Sequence, residues 1–294
     1  MTSSTLFVWV VTCAIWSTVW LFIKLGVRDV PPVTFAAFRL AVALAVLVPL
    51  TLARRVPLPR RRQDWILIGG TGVILLGVNY ALLNWGIQYI SSGLTAVLQA
   101  MTPVFGFVFA HLLLDDEKMT AGKGAALVVG VLGVAVIFWD QFDTGTSRAL
   151  TGSIAVIGSA VCVAISYVVM RRRGQSLDPA MITAGQMTAA LGPLLLYALT
   201  IEGDPRTARW STTAVLSGVY LALAGSVAGA WLNYWLLKRI GATKLLSMGL
   251  VEPLIAVLLG AAMLGERMSP KTALGGVCIL VSVAVVLDVF RKRA

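Results

Sequence analysis

The chain has 294 residues, of which 58% are hydrophobic and only 13% are charged, and its mean hydropathy is +0.88. Soluble domains carry about 25% charged residues, so this composition excludes an ordinary soluble fold. A net charge of +11 would suggest a nucleic-acid partner in a soluble protein. In a membrane protein the distribution of basic residues between loops carries the information instead, and we expect no nucleic-acid partner.

Apolar stretches of about 20 residues, long enough to cross about 30 Å of hydrocarbon, recur along the whole chain. Each predicts a transmembrane helix, because a backbone in lipid must satisfy its own hydrogen bonds. The connections are short, so the sequence predicts an all-α integral membrane protein embedded in the lipid bilayer. The ten predicted spans are 6–26, 33–53, 65–89, 93–114, 121–139, 152–170, 179–201, 211–237, 243–264 and 271–290.

Basic residues are divided unevenly between the two sides of this predicted bundle. If both termini are cytoplasmic, the inner side holds sixteen of the 24 Lys and Arg residues, the outer side holds seven, and Arg39 alone lies deep within a span. Cytoplasmic loops carry the excess of Lys and Arg in membrane proteins. We therefore expect a multi-pass protein of the cell (inner) membrane with cytoplasmic N- and C-termini.

The sequence also repeats itself. QAMTPVFGFVFAHLLLDDEKMT from residue 99 lies over GLVEPLIAVLLGAAMLGERMS from residue 249, so that Pro103 matches Pro253. Each half, 1–143 and 144–294, then holds five predicted spans within one compact membrane domain. Because five is odd, the second copy is inverted in the membrane relative to the first. Inverted repeats are typical of transporters, in which one half rocks against the other and exposes a central site to each side in turn.

Three stretches carry a resemblance to a known family: PVFGFVFAHLLLDDE at 103–117, VEPLIAVLLGAAMLGER at 251–267 and PPVTFAAFRLA at 31–41. They resemble the drug/metabolite transporter superfamily, in particular its EamA-type members with two five-helix repeats. The resemblance implies a ten-helix secondary transporter of a small metabolite, without a cofactor. Within the family the chain looks like the amino-acid exporters, and we expect export of neutral or aromatic amino acids. A channel, a lipid-translocating protein and a carrier of another metabolite or drug stay open as alternatives. We expect a monomer and leave a dimer open.

A substrate cavity is predicted where polar and aromatic side chains share helix faces, because polar groups in hydrocarbon usually face a cavity or a partner and residues three or four apart lie on one face. Plain packing between helices is the alternative for these side chains. The predicted lining residues are Trp16, Ser17, Trp20, Asn79, Tyr80, Asn84, Gln99, Ser166, Tyr167, Trp231, Asn233, Tyr234, Trp235, Met248 and Glu252. Pro103 and Pro253 are predicted to form paired hinges or kinks, because proline removes a helical hydrogen bond.

Chemistry is not expected in this bundle. Glu252 is the only acidic residue deep within a span, so a second carboxylate for catalysis is missing, and His111 is the only histidine, so no metal site is expected. Glu252 could carry a proton, bind an ammonium group or tie helices together. Arg39 could act as a counter-charge for a substrate, although a packing role is the simpler expectation.

Overall fold

The computed structural model describes residues 3–114, 120–143, 147–174, 176–229 and 248–286, together with Leu232, Trp235, Leu236 and Arg239. The described residues form helices joined by short connections, and they contain no strand. The helices are α1 Ser3–Gly26, α2 Pro32–Ala53, α3 Arg62–Gly86, α4 Ser92–Leu113, α5 Ala121–Asp143, α6 Ser147–Arg173, α7 Pro179–Glu202, α8 Thr212–Ala228, α9 Met248–Leu264 and α10 Pro270–Val286.

Helices α1 to α7 are long and apolar enough to cross a membrane, and α8 to α10 are shorter apolar helices within the described residues. Large apolar side chains such as Phe7, Leu52 and Leu258 are exposed on the bundle surface, as expected of a surface that faces lipid. The chain is therefore a multi-pass membrane protein. The predicted spans 211–237, 243–264 and 271–290 fall partly outside the described residues, so the count of ten spans stays a prediction.

The most extensive contacts between the first five and the last five helices form a reciprocal pattern. Helix α1 packs against α8 and α9, while α6 packs against α3 and α4. Helix α2 contacts α8 while α7 contacts α3, and α2–α7, α4–α9 and α5–α10 pair directly. Replacing each helix by the one five places away turns each of these contacts into another one of the set. The two halves thus use equivalent surfaces against each other.

Two close crossings between the halves depend on pairs of glycines. A Cβ atom on Gly133 of α5 would lie 2.6 Å from the carbonyl oxygen of Gly275 on α10, and one on Gly275 would lie 2.5 Å from that of Gly133. Gly86 of α3 and Gly152 of α6 oppose each other in the same way, at 2.6 and 2.9 Å. Only residues without a side chain let helices approach this closely in a membrane bundle. These crossings fix the spacing of the halves.

Charged side chains link helix ends on one side of the bundle, the side on which α1 ends and α2 begins, which we call the first-loop side. The Glu202 carboxylate at the end of α7 accepts hydrogen bonds from the backbone N–H groups of Val33 and Thr34, at 2.9 and 2.7 Å, and from the Thr34 hydroxyl at 2.8 Å. A negative charge is favourable at a helix N-terminus, where N–H groups have no helical partner. Glu202 therefore fastens α7 to the start of α2.

Two further contacts of this kind lie on the first-loop side. The Glu266 carboxylate, just after α9, accepts from the Ser92 backbone N–H at 2.9 Å and from the Ser92 hydroxyl at 2.7 Å, at the start of α4. The Lys24 ammonium at the end of α1 donates to the carbonyls of Ile87 and Ile90, at 2.5 and 2.6 Å, where α3 ends. Each charge has the sign that its helix terminus favours. Three pairs of helices are thus held together on this side.

Candidate functional site

Helix α4 is interrupted in its middle, at the predicted lining residue Gln99. The α-helical backbone stops at Gln99 and resumes at Thr102. Pro103 has no N–H and cannot donate to the Gln99 carbonyl, and the Thr102 hydroxyl donates to that carbonyl instead, at 2.7 Å. The Gln99 side-chain amide donates to the hydroxyl of Ser159 on α6. The break thus presents Gln99, which is buried, to the second half of the chain.

Of the three π-helical segments within the described residues, two lie at positions that match under the sequence repeat, and the third, Ala198–Glu202, ends α7. Val73–Val78 lies in α3 and Leu221–Ala228 lies in α8. Adding the repeat offset of 150 residues to 73–78 gives 223–228, which falls inside the second segment. Asn79 and Tyr80 follow the first segment directly, and Ser226 lies within the second. Because π-helical turns occur frequently at functional sites, these positions are candidates for substrate contact.

Residues within or directly after these two π-helical segments contact Arg39 of α2, whose side chain is buried. The Arg39 Nε atom donates to the Ser226 hydroxyl at 3.2 Å. The guanidinium carbon lies 4.7 Å from the centroid of the Tyr80 ring, at a distance typical of a cation–π contact. The guanidinium therefore joins α2, α3 and α8, and we call Arg39, Tyr80 and Ser226 the arginine cluster.

Three predicted lining residues hold buried polar atoms that lack a hydrogen-bond partner within the described part of the chain. They are the indole nitrogen of Trp20, the side-chain oxygen of Asn79 and the hydroxyl of Ser166. Leaving such a group unpaired costs ~1–3 kcal/mol, so nearly all buried polar groups in native proteins are paired. Their occurrence on three predicted lining residues, one each on α1, α3 and α6, favours polar ligands or water as their partners.

Two other predicted residues are engaged in helix contacts. The Ser17 hydroxyl donates to the Cys13 carbonyl one turn earlier in α1, at 2.6 Å. The Asn84 amide donates to the Pro32 carbonyl at the first turn of α2, at 3.1 Å. Both side chains are buried. In this structure their polar groups serve the packing of α1 and the tie between α3 and α2.

Tyr167 of α6 is exposed over 63% of its surface, although it does not lie on the lipid-facing side of the helix. Ala160 and Ala164 precede it by seven and three residues, share its helix face and are buried at 0% and 1% exposure. Its position near the end of α6 that carries Arg173 lies opposite the first-loop side. Tyr167 is thus an exposed residue on a helix face that is buried farther along α6, near the end opposite the first-loop side.

A second group of predicted residues surrounds the start of α9. Met248 is buried with Cys13 of α1, and Trp16 and Trp235 pack against them. Glu252 lies one turn after Met248 on the same face and is half-buried. The Trp16 indole nitrogen also lies against Gly229, the residue after α8. Trp16 therefore packs between the start of α9 and the end of α8.

The remaining predictions divide between described and undescribed parts of the chain. Trp231, Asn233 and Tyr234 lie outside the residues that the structure describes. The two matched prolines differ in their surroundings, since α4 is interrupted just before Pro103 whereas α9 continues through Pro253. A paired hinge role for them stays a prediction.

Sequence reasoning did not select Ser159 or Ser226, and it favoured a packing role for Arg39. Isolated serines in apolar helices are common packing residues, so neither serine stood out. Arg39 did carry a signal, because it is the only basic residue that lies more than two residues inside a predicted span. Its two partners come from α3 and α8, and Ser226 lies 187 positions away along the chain.

Comparison with known proteins agrees with this architecture. The sequence profile described as the EamA-like transporter family matches residues 3–139 and, a second time, residues 150–288. The chain belongs to the EamA-like transporter family. Membership in this family implies a small-molecule substrate and a place in a membrane.

Similar proteins carry transporter names. The chain is 26% identical over 283 residues to the uncharacterized transporter YoaV of Bacillus subtilis, with 95% of each chain covered. It is 28% identical over 277 residues to the uncharacterized inner membrane transporter YedA of Escherichia coli K12, covering 93% of this chain and 87% of YedA. A solved crystal structure aligns with 100% of both chains at a TM-score of 0.67 and 20% identity, and so shares the fold.

Proposed function

We propose that this member of the EamA-like family is a secondary transporter that moves a small metabolite by alternating access between two inverted five-helix repeats, 1–143 and 144–294. The reciprocal contacts between the halves carry this proposal. If equivalent helices can exchange their contacts, closure at one side of the membrane has a counterpart at the other. The two matches of one family profile in the same chain support the same view.

In this proposal the cavity opens toward the side opposite the first-loop side. Glu202, Glu266 and Lys24 hold the first-loop side closed through helix termini. Tyr167 is exposed on an inward face near the other end. With the cytoplasmic termini that the distribution of basic residues predicts, this arrangement is an inward-open state in a cell (inner) membrane.

Neutral or aromatic amino acids are the proposed cargo, and export is the proposed direction. Aromatic rings that face the interior, Trp16, Trp20 and Tyr80, would pack against an apolar or aromatic side chain. The side-chain oxygen of Asn79 and the hydroxyl of Ser166, which lack partners among the described residues, would bind the polar end of the molecule. A pocket with an apolar wall and a few polar groups suits such amphipathic solutes.

Transport by purified protein in liposomes tests this function. We expect uptake of labelled phenylalanine or leucine that saturates with concentration and is inhibited by other neutral amino acids. Ionic current without saturation would identify a channel, and movement of labelled lipids between leaflets would identify a lipid-translocating protein. Failure of every neutral and aromatic amino acid to move or compete would refute the proposed cargo.

A further inference from the structure

The Arg39 guanidinium is held from two sides while its outer edge is left available. Arginine has five N–H donors in a planar fork. The Nε donor is used by Ser226, and among the described residues none accepts a hydrogen bond from the two terminal nitrogens. A buried charge is costly unless it is paired and hydrogen-bonded. The edge formed by the terminal nitrogens thus calls for an anionic partner.

The described acidic residues do not supply this partner. Glu202 and Glu266 are bound to helix N-termini on the first-loop side. Glu252 lies 12 residues before the end of α9 on the first-loop side, which corresponds to ~18 Å along the helix axis. Arg39 lies seven residues after α2 begins on that side, which corresponds to ~10 Å. Arg39 and Glu252 are therefore at different depths.

The surroundings of Arg39 orient the fork and leave room beside it. The Tyr80 ring covers one face of the guanidinium, and Ser226 fixes its Nε edge. Gly225 has no side chain, and a Cβ there would lie 3.5 Å from the terminal nitrogen Nη2 and 3.4 Å from Val19. Such distances are ordinary contacts, so a methyl group would fill the space without displacing the helix. The glycine keeps a small cradle open next to a terminal nitrogen.

We propose that Arg39 is a substrate-binding residue whose terminal nitrogens bind the carboxylate of the transported molecule. A planar fork of N–H donors matches the two oxygens of a carboxylate. Tyr80 and Ser226 are positioning residues that hold the fork; Tyr80 follows one π-helical segment and Ser226 lies within the other. This proposal rests on the proposed transport function and specifies the chemical class of its cargo: a small molecule with a free carboxylate.

Ligand-dependent thermal stabilisation of the purified protein in detergent tests this inference without transport. The probes are phenylalanine, leucine and 3-phenylpropanoate, which carry a carboxylate, and phenylalaninamide and phenethylamine, which do not. We expect the wild type to be stabilised by at least one of the carboxylates and by neither of the two amines that lack a carboxylate. In Arg39→Gln the required carboxylate concentration should rise at least about tenfold, because a charge-assisted bond is lost.

Variants separate this role from a structural one. Arg39→Lys keeps the charge but not the fork, and its affinity for the carboxylate should lie between those of the wild type and Arg39→Gln. It also serves as the test variant if Arg39→Gln does not fold. Gly225→Ala should weaken carboxylate binding while the unliganded protein keeps its melting temperature. Equal stabilisation of the wild type by acid and amide, stabilisation by inorganic phosphate alone, no stabilisation by any carboxylate, or unchanged affinity in both Arg39 variants would overturn the assignment.

The two sets of experiments also distinguish failure of the Arg39 assignment from failure of the transport proposal. If no amino acid is transported but 3-phenylpropanoate binds in an Arg39-dependent way, the cargo proposal fails and the Arg39 assignment stands. If phenylalanine and its amide are transported equally well by the wild type and by Arg39→Lys, the transport function stands and the Arg39 assignment fails.

Discussion

Removal of the Glu266 carboxylate should open the first-loop side of the transporter. Glu266 receives hydrogen bonds from the Ser92 N–H at 2.9 Å, the Ser92 hydroxyl at 2.7 Å and the Gly93 N–H at 3.4 Å. These bonds join the end of α9 to the start of α4 and would be broken when that side opens. Loss of a helix N-cap costs ~0.5–2 kcal/mol, and bonds to a charged group are at the upper end of that range.

We take ~2 kcal/mol for this half-exposed site, which corresponds to an increase of ~30-fold in the ratio of open to closed molecules. Leu94, two residues beyond the capped end, is 7% exposed and should react only when the side opens. The assay measures labelling of Leu94→Cys by a membrane-impermeant maleimide, with Cys13, Cys162 and Cys278 replaced by alanine. Labelling in Glu266→Ala should be ~10–30 times faster than in the parent, following the same conversion.

Asp204→Ala is the matched control. Asp204 is an acidic residue on the same side whose carboxylate accepts from the N–H of Arg206 in its own loop, at 2.9 Å. Its removal changes the charge of that side without breaking a bond between helices, so labelling of Leu94→Cys should stay at the parental rate. An unchanged rate in Glu266→Ala, or an equal increase in Asp204→Ala, would refute the reasoning.

Three further predictions concern stability. Gly133→Leu should lower the melting temperature in detergent by more than ~5 °C, because the new side chain meets the α10 backbone. The control Gly124→Leu has open space around the new side chain and should change the melting temperature by less than ~2 °C. Equal effects of the two substitutions would contradict the close packing of α5 on α10. Asn79→Leu removes an unpaired buried oxygen and also the bond from the Asn79 amide to the Leu75 carbonyl. These effects oppose each other, so the melting temperature should stay level while transport slows; normal transport would exclude Asn79 from the site. Lys24→Met removes three donated hydrogen bonds and should lower the melting temperature by ~4–8 °C, measured by loss of the monodisperse peak in size-exclusion chromatography after heating. An unchanged melting temperature would contradict the stabilising contact between Lys24 and the end of α3.

Local sequence rules account for the helices and for the interruption of α4. Hydropathy located the long apolar helices, because a span must be apolar over its whole length. Pro103 indicated a lost hydrogen bond from local chemistry alone, and the helix is interrupted beside it. The count of ten spans and the domain boundary stay predictions, since several of the residues concerned lie outside the described part.

The site could be predicted only in part, because its contacts join distant positions. Hydropathy marked Asn79, Tyr80 and Ser166 as polar groups at membrane depth, but it could not distinguish Asn79, whose oxygen has no described partner, from Asn84, which ties α3 to Pro32. That distinction depends on where α2 begins in space. Likewise, nothing local connects Arg39 with Ser226, because a π-helical turn in α8 brings them together.

Counterflow in liposomes tests the central claim most directly. Vesicles loaded with unlabelled phenylalanine are diluted into a trace of labelled phenylalanine, with no ion gradient present. A carrier that alternates between two sides must accumulate the label transiently above the outside concentration, because unlabelled substrate returns the site to the outside. We predict such an overshoot, and its loss when the vesicles are loaded with phenethylamine instead. Equilibration of the label without an overshoot in the phenylalanine-loaded vesicles would contradict alternating access.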